Sequence, residues 1–228
     1  MTTILEKLFQ NIAPHDCIMC CNEGHILCPI CAPDLINEQF SRCLHCELPT
    51  VDYALCAKCY AHSPISHAVI ISNYENELKQ LVRLLKYEHV RQAATDIARA
   101  WEHILPVFPK ETIVTHVPTT NRRQRARGFD QAELLARALA KQKQLTYASL
   151  LRRVGNTKQV GASRQQRFRQ AATMFELAGG LYKDRLVLLV DDVITTGATI
   201  RAAATLLRQA GAKQVIAVAI ARQHLEKH

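Results

Sequence analysis

Beyond Cys59 the chain has no cysteine, although nine of its 228 residues are cysteine. The last three-quarters of the molecule can therefore hold neither disulfides nor thiolate-bound metal. No apolar run approaches the roughly 18 residues that a membrane span needs, so no membrane insertion is expected. The segment Met1-Thr2-Thr3-Ile4-Leu5-Glu6-Lys7 carries an early acid and no long apolar stretch. That is not the pattern of a secretory signal, and a cytoplasmic location is expected. No internal repeat of α/β units and no low-complexity tract is visible, which sets aside repeat arrays. Acids are scarce in one place only: residues 121–170 hold 2 against 13 Lys or Arg. The rest has 18 acids and 16 bases, so this stretch supplies the whole formal charge of +9.

Eight of the cysteines form four C-x-x-C pairs: Cys17/Cys20, Cys28/Cys31, Cys43/Cys46 and Cys56/Cys59. In a reducing compartment such knuckles read as tetrahedral zinc sites, because thiolates are favoured ligands and four of them close the shell. A segment this short needs structural zinc to fold. Two zinc ribbons built from consecutive pairs are expected, with one zinc and some pairs unused as the alternative. A disulfide framework lacks the secretory context it needs. Cys21 is the odd thiol, able to replace Cys20 or stand spare. His15, His25, His45 and His62 are possible substitutes that read first as surface residues.

The head is expected to span residues 1–62, ending at Ala61-His62-Ser63-Pro64, where polar residues and proline break the pattern. Residues 63–228 then alternate strand and helix. Strands are expected at His67–Ser72, Thr112–Val117, Leu186–Val190 and Gln214–Ala219. Helices are expected at Glu75–Leu85, Arg91–Leu105, Gln131–Gln142 and Ile200–Gln209, with Trp101 facing the core. The 48% hydrophobic content suffices for one good core. The expected fold class is α/β, a mainly parallel sheet flanked by helices, with a small N-terminal zinc ribbon.

The run Val187–Val190 fits a strand buried on both faces. It ends in Asp191-Asp192-Val193-Ile194-Thr195-Thr196-Gly197-Ala198-Thr199, and ligands of open α/β sheets lie beyond the carboxyl ends of strands. Backbone N–H groups of Thr195–Thr199 can fan around one phosphate ahead of a helix N-terminus. Thr195, Thr196 and Thr199 add hydroxyls, and Gly197 supplies turn freedom. Carboxylates repel phosphate but accept hydrogen bonds from vicinal hydroxyls, so Asp191 and Asp192 suit a sugar. Capping of the helix alone explains neither the paired acids nor three threonines in five residues.

This segment resembles the phosphoribosyl-pyrophosphate (PRPP) loop of type I phosphoribosyltransferases. Further motifs, in order, resemble the ComF family of competence-associated proteins, which join a cysteine-rich head to such a domain. They are Cys17–Cys59, Leu85-Lys86-Tyr87, Val117-Pro118 with Arg122-Arg123, Arg127-Gly128-Phe129-Asp130-Gln131-Ala132, and Gln159–Arg167. The resemblance implies that Asp191 and Asp192, the candidate catalytic pair, meet the ribose hydroxyls. It implies that the loop from Val193 through Thr195, Thr196, Gly197, Ala198 and Thr199 holds the 5′-phosphate, with Mg²⁺ carried by PRPP. It assigns Thr119-Thr120-Asn121-Arg122 to a pyrophosphate loop and about Gly155–Arg169 to a flexible hood. The chain departs from the family's usual Pro-Leu-His at Thr119-Thr120-Asn121, and from Asn at Asp130 or Gln170.

Two arginine clusters read as loop residues facing that site: Arg122, Arg123, Arg125 and Arg127, then Arg152, Arg153, Lys158, Arg164, Arg167 and Arg169. Cations there would stabilise phosphate and a pyrophosphate leaving group. A closing hood would keep water from an oxocarbenium-like transition state. The same basic stretch suits a single-stranded DNA backbone, with Phe129, Tyr147 and Phe168 as sparse stacking aromatics. The ComF resemblance implies handling of incoming single-stranded DNA in natural transformation. Alternatives are a metabolic phosphoribosyltransferase acting on a nucleobase or related nitrogen nucleophile, and a docking protein for a competence helicase or membrane DNA channel. No side chain stands out as general acid or base, and the acceptor is not readable.

Overall fold

The structure is a computed structural model describing residues 15–36, 41–87, 90–154, 174–180 and 183–223. The cysteine-rich segment contains two short helices, α1 (Ala32–Leu35) and α2 (Ala57–Tyr60). There follow β1 (His67–Asn73), α3 (Asn76–Tyr87), α4 (Val90–Glu102), β2 (Ile113–His116), α5 (Asn121–Arg127), α6 (Gln131–Lys143) and β3 (Thr146–Tyr147). The chain continues with β4 (Leu151–Arg153), β5 (Phe175–Leu177), β6 (Leu186–Ile194), α7 (Ala198–Gln209) and β7 (Gln214–Arg222). Strands β1, β7, β6, β2 and β3 form, in that order, one sheet in which every pairing is parallel. β4 and β5 make a separate antiparallel ribbon.

Alternation along the central strands decides which helix packs where, since successive side chains point to opposite faces. Leu188 and Val190 of β6, with Ile216, Val218 and Ile220 of β7, face a core shared with α3, α4 and α6. Trp101 is fully buried there and donates from Nε1 to Ala219 O at 3.3 Å, as core packing requires. Val187, Leu189, Val215, Ala217 and Ala219 face the other core. Its cover is α7, through Ile200, Ala203, Ala204 and Leu207, and the ribbon, through Leu151 and Phe175.

The cysteine-rich segment contributes to both cores. Cys17, Ile26, Leu27 and Leu35 join the first, and Cys43, Leu44 and Leu55 the second. A fully buried carboxylate, Asp96 of α4, pins the first part. Its Oδ2 accepts from Ile26 N at 2.9 Å and Leu27 N at 3.2 Å, while Oδ1 accepts from Gln92 at 2.9 Å and Arg99 at 3.2 Å. Every lone-pair direction has a donor, which makes burial of this charge tolerable. The second part runs beside β1, where Ala68 N donates to Tyr53 O at 2.9 Å.

The expected elements are present with shifted ends. β6 runs through both acids to Ile194 rather than stopping at Val190, and β7 reaches Arg222. Arg122–Arg127 is not a loop but α5. The Thr120 side chain accepts from Arg123 N at the N-cap, and Gly128, at φ +82°, turns the chain out. The β4–β5 ribbon was not foreseen, because three-residue strands on either side of residues 155–173 show no periodicity. Among the described residues no helix is long and apolar enough to cross a membrane.

Candidate functional site

The site begins where β2 stops and β6 continues. His116 is the last β2 residue in register, opposite Val190, and Val117 N still reaches Val190 O at 2.9 Å. Pro118 has no N–H to extend the ladder. Asp191, Val193 and Ile194 therefore pair with β7 alone, opposite Ala219, Ala221 and Arg222. The helices that follow these neighbouring strands lie on opposite faces, α6 on one and α7 on the other. Such a switch point opens a crevice between strand ends, and the cleft found there measures ≈ 1220 Å³.

Asp191 Oδ1 accepts from Asp192 N at 2.9 Å, and Asp192 Oδ1 accepts from Val193 N at 2.7 Å. Lys86, in the last turn of α3, brings Nζ to 2.9 Å from Asp192 Oδ2. Burial, and then the Asp192 charge beside it, raises the Asp191 pKa well above the ordinary carboxylate range. A ligand that offers hydroxyls or a cation to this pair relieves that penalty.

The turn after β6 can receive an anion. Gly197 precedes α7 at φ +73°, and a Cβ there would find its nearest neighbour, Ile194 Cγ2, 4.0 Å away. Backbone conformation rather than space thus calls for glycine. Gly197, the N-cap of α7, has no side chain to cap the helix, which leaves N–H groups of the first turn beyond Ala198 for a ligand. Val193, Thr195, Gly197, Ala198 and Thr199 line the cleft. Thr196 is not among the lining residues; its Oγ1 accepts from Ala198 N at 3.3 Å and braces the turn.

Across the cleft, Thr119, Thr120, Arg122, Arg123 and Arg127 form the opposite wall, whereas Arg125 is not part of it. Asp130 holds this wall with its two oxygens. Oδ1 caps α6 through Ala132 N at 3.0 Å, and Oδ2 accepts from Thr119 N at 2.7 Å. A carboxylate at this position can accept through both oxygens. Arg153 closes the side, donating to Pro118 O at 3.3 Å with its guanidinium 5.3 Å from the Phe175 ring centroid. Burial, then the charge of Arg123, lowers its pKa, against the pull of Asp191 and Asp130.

The structure thus brings together Asp191, Asp192, the 193–199 turn, Thr119, Thr120, Arg122 and Arg123. Arg164 and Arg167, with Lys158, Phe168, Arg169 and the expected hood, lie outside the described residues. Lys86 was missed as a site residue, although Leu85-Lys86-Tyr87 carried part of the family resemblance. The amphipathic period of α3 marks Lys86 only as exposed, and its partner is distant in sequence. Tyr147 is not an open stacking platform. Its ring stacks on His116 with centroids 6.0 Å apart, and the Arg137 guanidinium sits 4.1 Å from its centroid.

The cysteines resolve into two clusters, Cys17/Cys20/Cys28/Cys31 and Cys43/Cys46/Cys56/Cys59, each with sulfurs within 4.8 Å of one another. Tetrahedral zinc with bonds of about 2.3 Å separates its sulfurs by about 3.8 Å. Cys20 and Cys28 sulfurs lie 3.8 Å apart, and those of Cys46 and Cys56 3.5 Å. Each cluster can therefore hold one tetrahedral metal ion. Burial opposes ionisation of Cys17 and Cys43, but backbone N–H groups of the knuckles overcome it and lower both pKa values to about 6. Cys21, exposed at φ +58°, stands outside the cluster at the position that Glu47, at φ +63°, takes in the second knuckle. His25 contacts Asp96 instead, at 3.2 Å. His45 is half-buried: desolvation, then the charges of Arg201 and Arg222, lowers its pKa to about 4.

The sequence profile of a family described as "Phosphoribosyl transferase domain" matches residues 125–227. The chain is 31% identical to Competence protein F of Haemophilus influenzae, covering 93% of this chain and 99% of that one. It is 30% identical to DNA utilization protein YhgH of Salmonella typhi, over 83% of this chain and 87% of that protein. It is 24% identical to Competence protein ComFC of Bacillus subtilis, over 81% and 79%.

Proposed function

Because the chain belongs to the ComF family of competence proteins, we propose that it binds PRPP with Mg²⁺ in the β2–β6 cleft and handles single-stranded DNA in natural transformation. One observation carries the first half: the paired carboxylates, the glycine turn ahead of α7 and the arginine wall share one cleft. Asp191 and Asp192 accept from the ribose hydroxyls, and hard carboxylate oxygens also suit the Mg²⁺ that PRPP brings. The hydroxyls of Thr195 and Thr199 and the backbone N–H of Thr199 receive the 5′-phosphate. Thr119, Arg122, Arg123 and Arg153 receive the pyrophosphate, where negative charge grows if the glycosidic carbon is released. Lys86 holds Asp192 before the ligand arrives and exchanges that partner for phosphate oxygen afterwards. Two structural zinc ions complete the head, one in each four-cysteine cluster.

The DNA half is supported by the relatives' names and by Arg122, Arg123 and Arg125, all exposed on α5 beside the cleft. Three cations on one short helix are suited to tracking a phosphate backbone. The matching experiment measures oligonucleotide binding across a salt series for the parent and for Arg122→Glu/Arg123→Glu. The variant is expected to bind single strands at least tenfold more weakly, with a shallower salt slope. Equal binding would remove α5 from the DNA interface.

A further inference from the structure

Two side-chain bridges join the second cysteine cluster to the segments that bracket the phosphate turn. Arg201, in the first turn of α7, directs Nη2 at His45 Nδ1. His45 lies between Cys43 and Cys46 in the knuckle. A guanidinium only donates, so Nδ1 is the acceptor; the proton sits on Nε2 and goes to Ser63 Oγ at 2.9 Å. Arg222, only 6% exposed, places Nη2 3.0 Å from Oε1 of Glu47, which directly follows Cys46.

Both arginines belong to the frame of the turn. Arg201 N donates to Gly197 O at 3.0 Å, closing the first helical turn after the glycine. Arg222 is the register partner of Ile194, the residue before Thr195, and Gln223 N reaches Ile194 O at 2.9 Å. The turn is thus held at its two ends by cations whose acceptors flank one cysteine. The first cluster is tied elsewhere, through Ile26, Leu27 and His25 to Asp96 on α4.

We propose that His45, Glu47, Arg201 and Arg222 are positioning residues that couple metal in the second cluster to the phosphate turn. Four thiolates around one divalent ion carry a net charge of about −2, which the two arginines complement. Metal in the cluster sets the backbone of the Cys43–Cys46 knuckle and so aims His45 and Glu47. Their arginines then hold Gly197 and Ile194 in the anion-receiving geometry. By linkage, a phosphate-bearing ligand in the turn must tighten metal in this cluster by the same factor that metal tightens the ligand. The inference rests on reading the cleft as a PRPP site, as proposed above.

The test uses the full-length, metal-loaded protein, with metal content measured for every variant. PRPP·Mg²⁺ affinity is read by calorimetry, and backbone exchange of residues 194–201 by hydrogen–deuterium mass spectrometry. His45→Ala is expected to weaken PRPP about tenfold and to speed exchange in that segment. His45→Asn keeps an acceptor near the Nδ1 position and is expected to restore most of both. His25→Ala, which removes the histidine contact beside the first cluster, is expected to change neither. If His45→Ala matches the parent in affinity and exchange, the coupling is wrong. If the parent itself fails to bind PRPP, the cleft reading fails instead; the exchange comparison, which needs no ligand, still decides the coupling.

Discussion

A carboxylate at Asp191 is half-buried beside a second carboxylate, and both effects raise its pKa. An acid whose folded pKa is raised favours the fold below its unfolded value and loses that advantage as pH rises through the folded one. Wherever Asp191 is ionised it is therefore a penalty to the fold, as is common where stability is traded for ligand binding. Asp191→Asn is expected to raise the melting temperature at pH values above that raised pKa by about 2–4 °C while weakening PRPP binding. The gap from the parent should widen as pH rises through the raised pKa of Asp191 and close as pH falls below it, a pattern that paired melts across pH would show. Gly197→Ala makes the opposite trade. No atom blocks the new methyl group, but φ +73° is strained for alanine by about 1–2 kcal/mol. A lowered melting temperature with a normal fold is expected, and an unchanged one would mean that the turn relaxes.

At the scale of elements, β6 was the most legible part of the chain. Its Val187–Val190 run and the two acids announced a strand with a cleft at its end, because burial and charge change abruptly there. The wall opposite was legible only in composition. That Arg122–Arg127 form a helix depends on Thr120 and Gly128 acting as caps at a spacing that a basic run conceals. Lys86 could not be joined to Asp192 from sequence, since an ion pair between α3 and β6 is a product of the sheet order. The Asp96 clamp was equally hidden, because an acid on an amphipathic helix reads as solvated. Asp96→Ala leaves the N–H groups of Ile26 and Leu27 without an acceptor in a buried place. A loss of about 2–5 kcal/mol is expected from chemical denaturation, whereas an effect under about 0.5 kcal/mol would show that water replaces the carboxylate. Asp130→Ala removes a helix cap together with the support of Thr119, at a cost of about 1–2 kcal/mol. Its PRPP affinity should fall along with its stability.

Across the whole molecule, the cysteine spacing foretold two four-sulfur clusters but not where they would lie. One packs with each core of the sheet, so the head contributes hydrophobic surface to both layers. A boundary at residue 62 marks a change of composition, while Ile26, Leu27, Leu44 and Leu55 bury their side chains among residues from beyond it. Stripping metal with a strong chelator is accordingly expected to lower the melting temperature of the entire chain, not of a separate minor transition. The central claim is that the carboxylates at the end of β6 and the turn beyond them form a PRPP site. It is tested most directly by calorimetric titration of PRPP with Mg²⁺ into the parent and into Asp191→Ala/Asp192→Ala. Saturable binding by the parent, weakened at least tenfold in the double variant, is the predicted result. Equal affinity in the two proteins would contradict it.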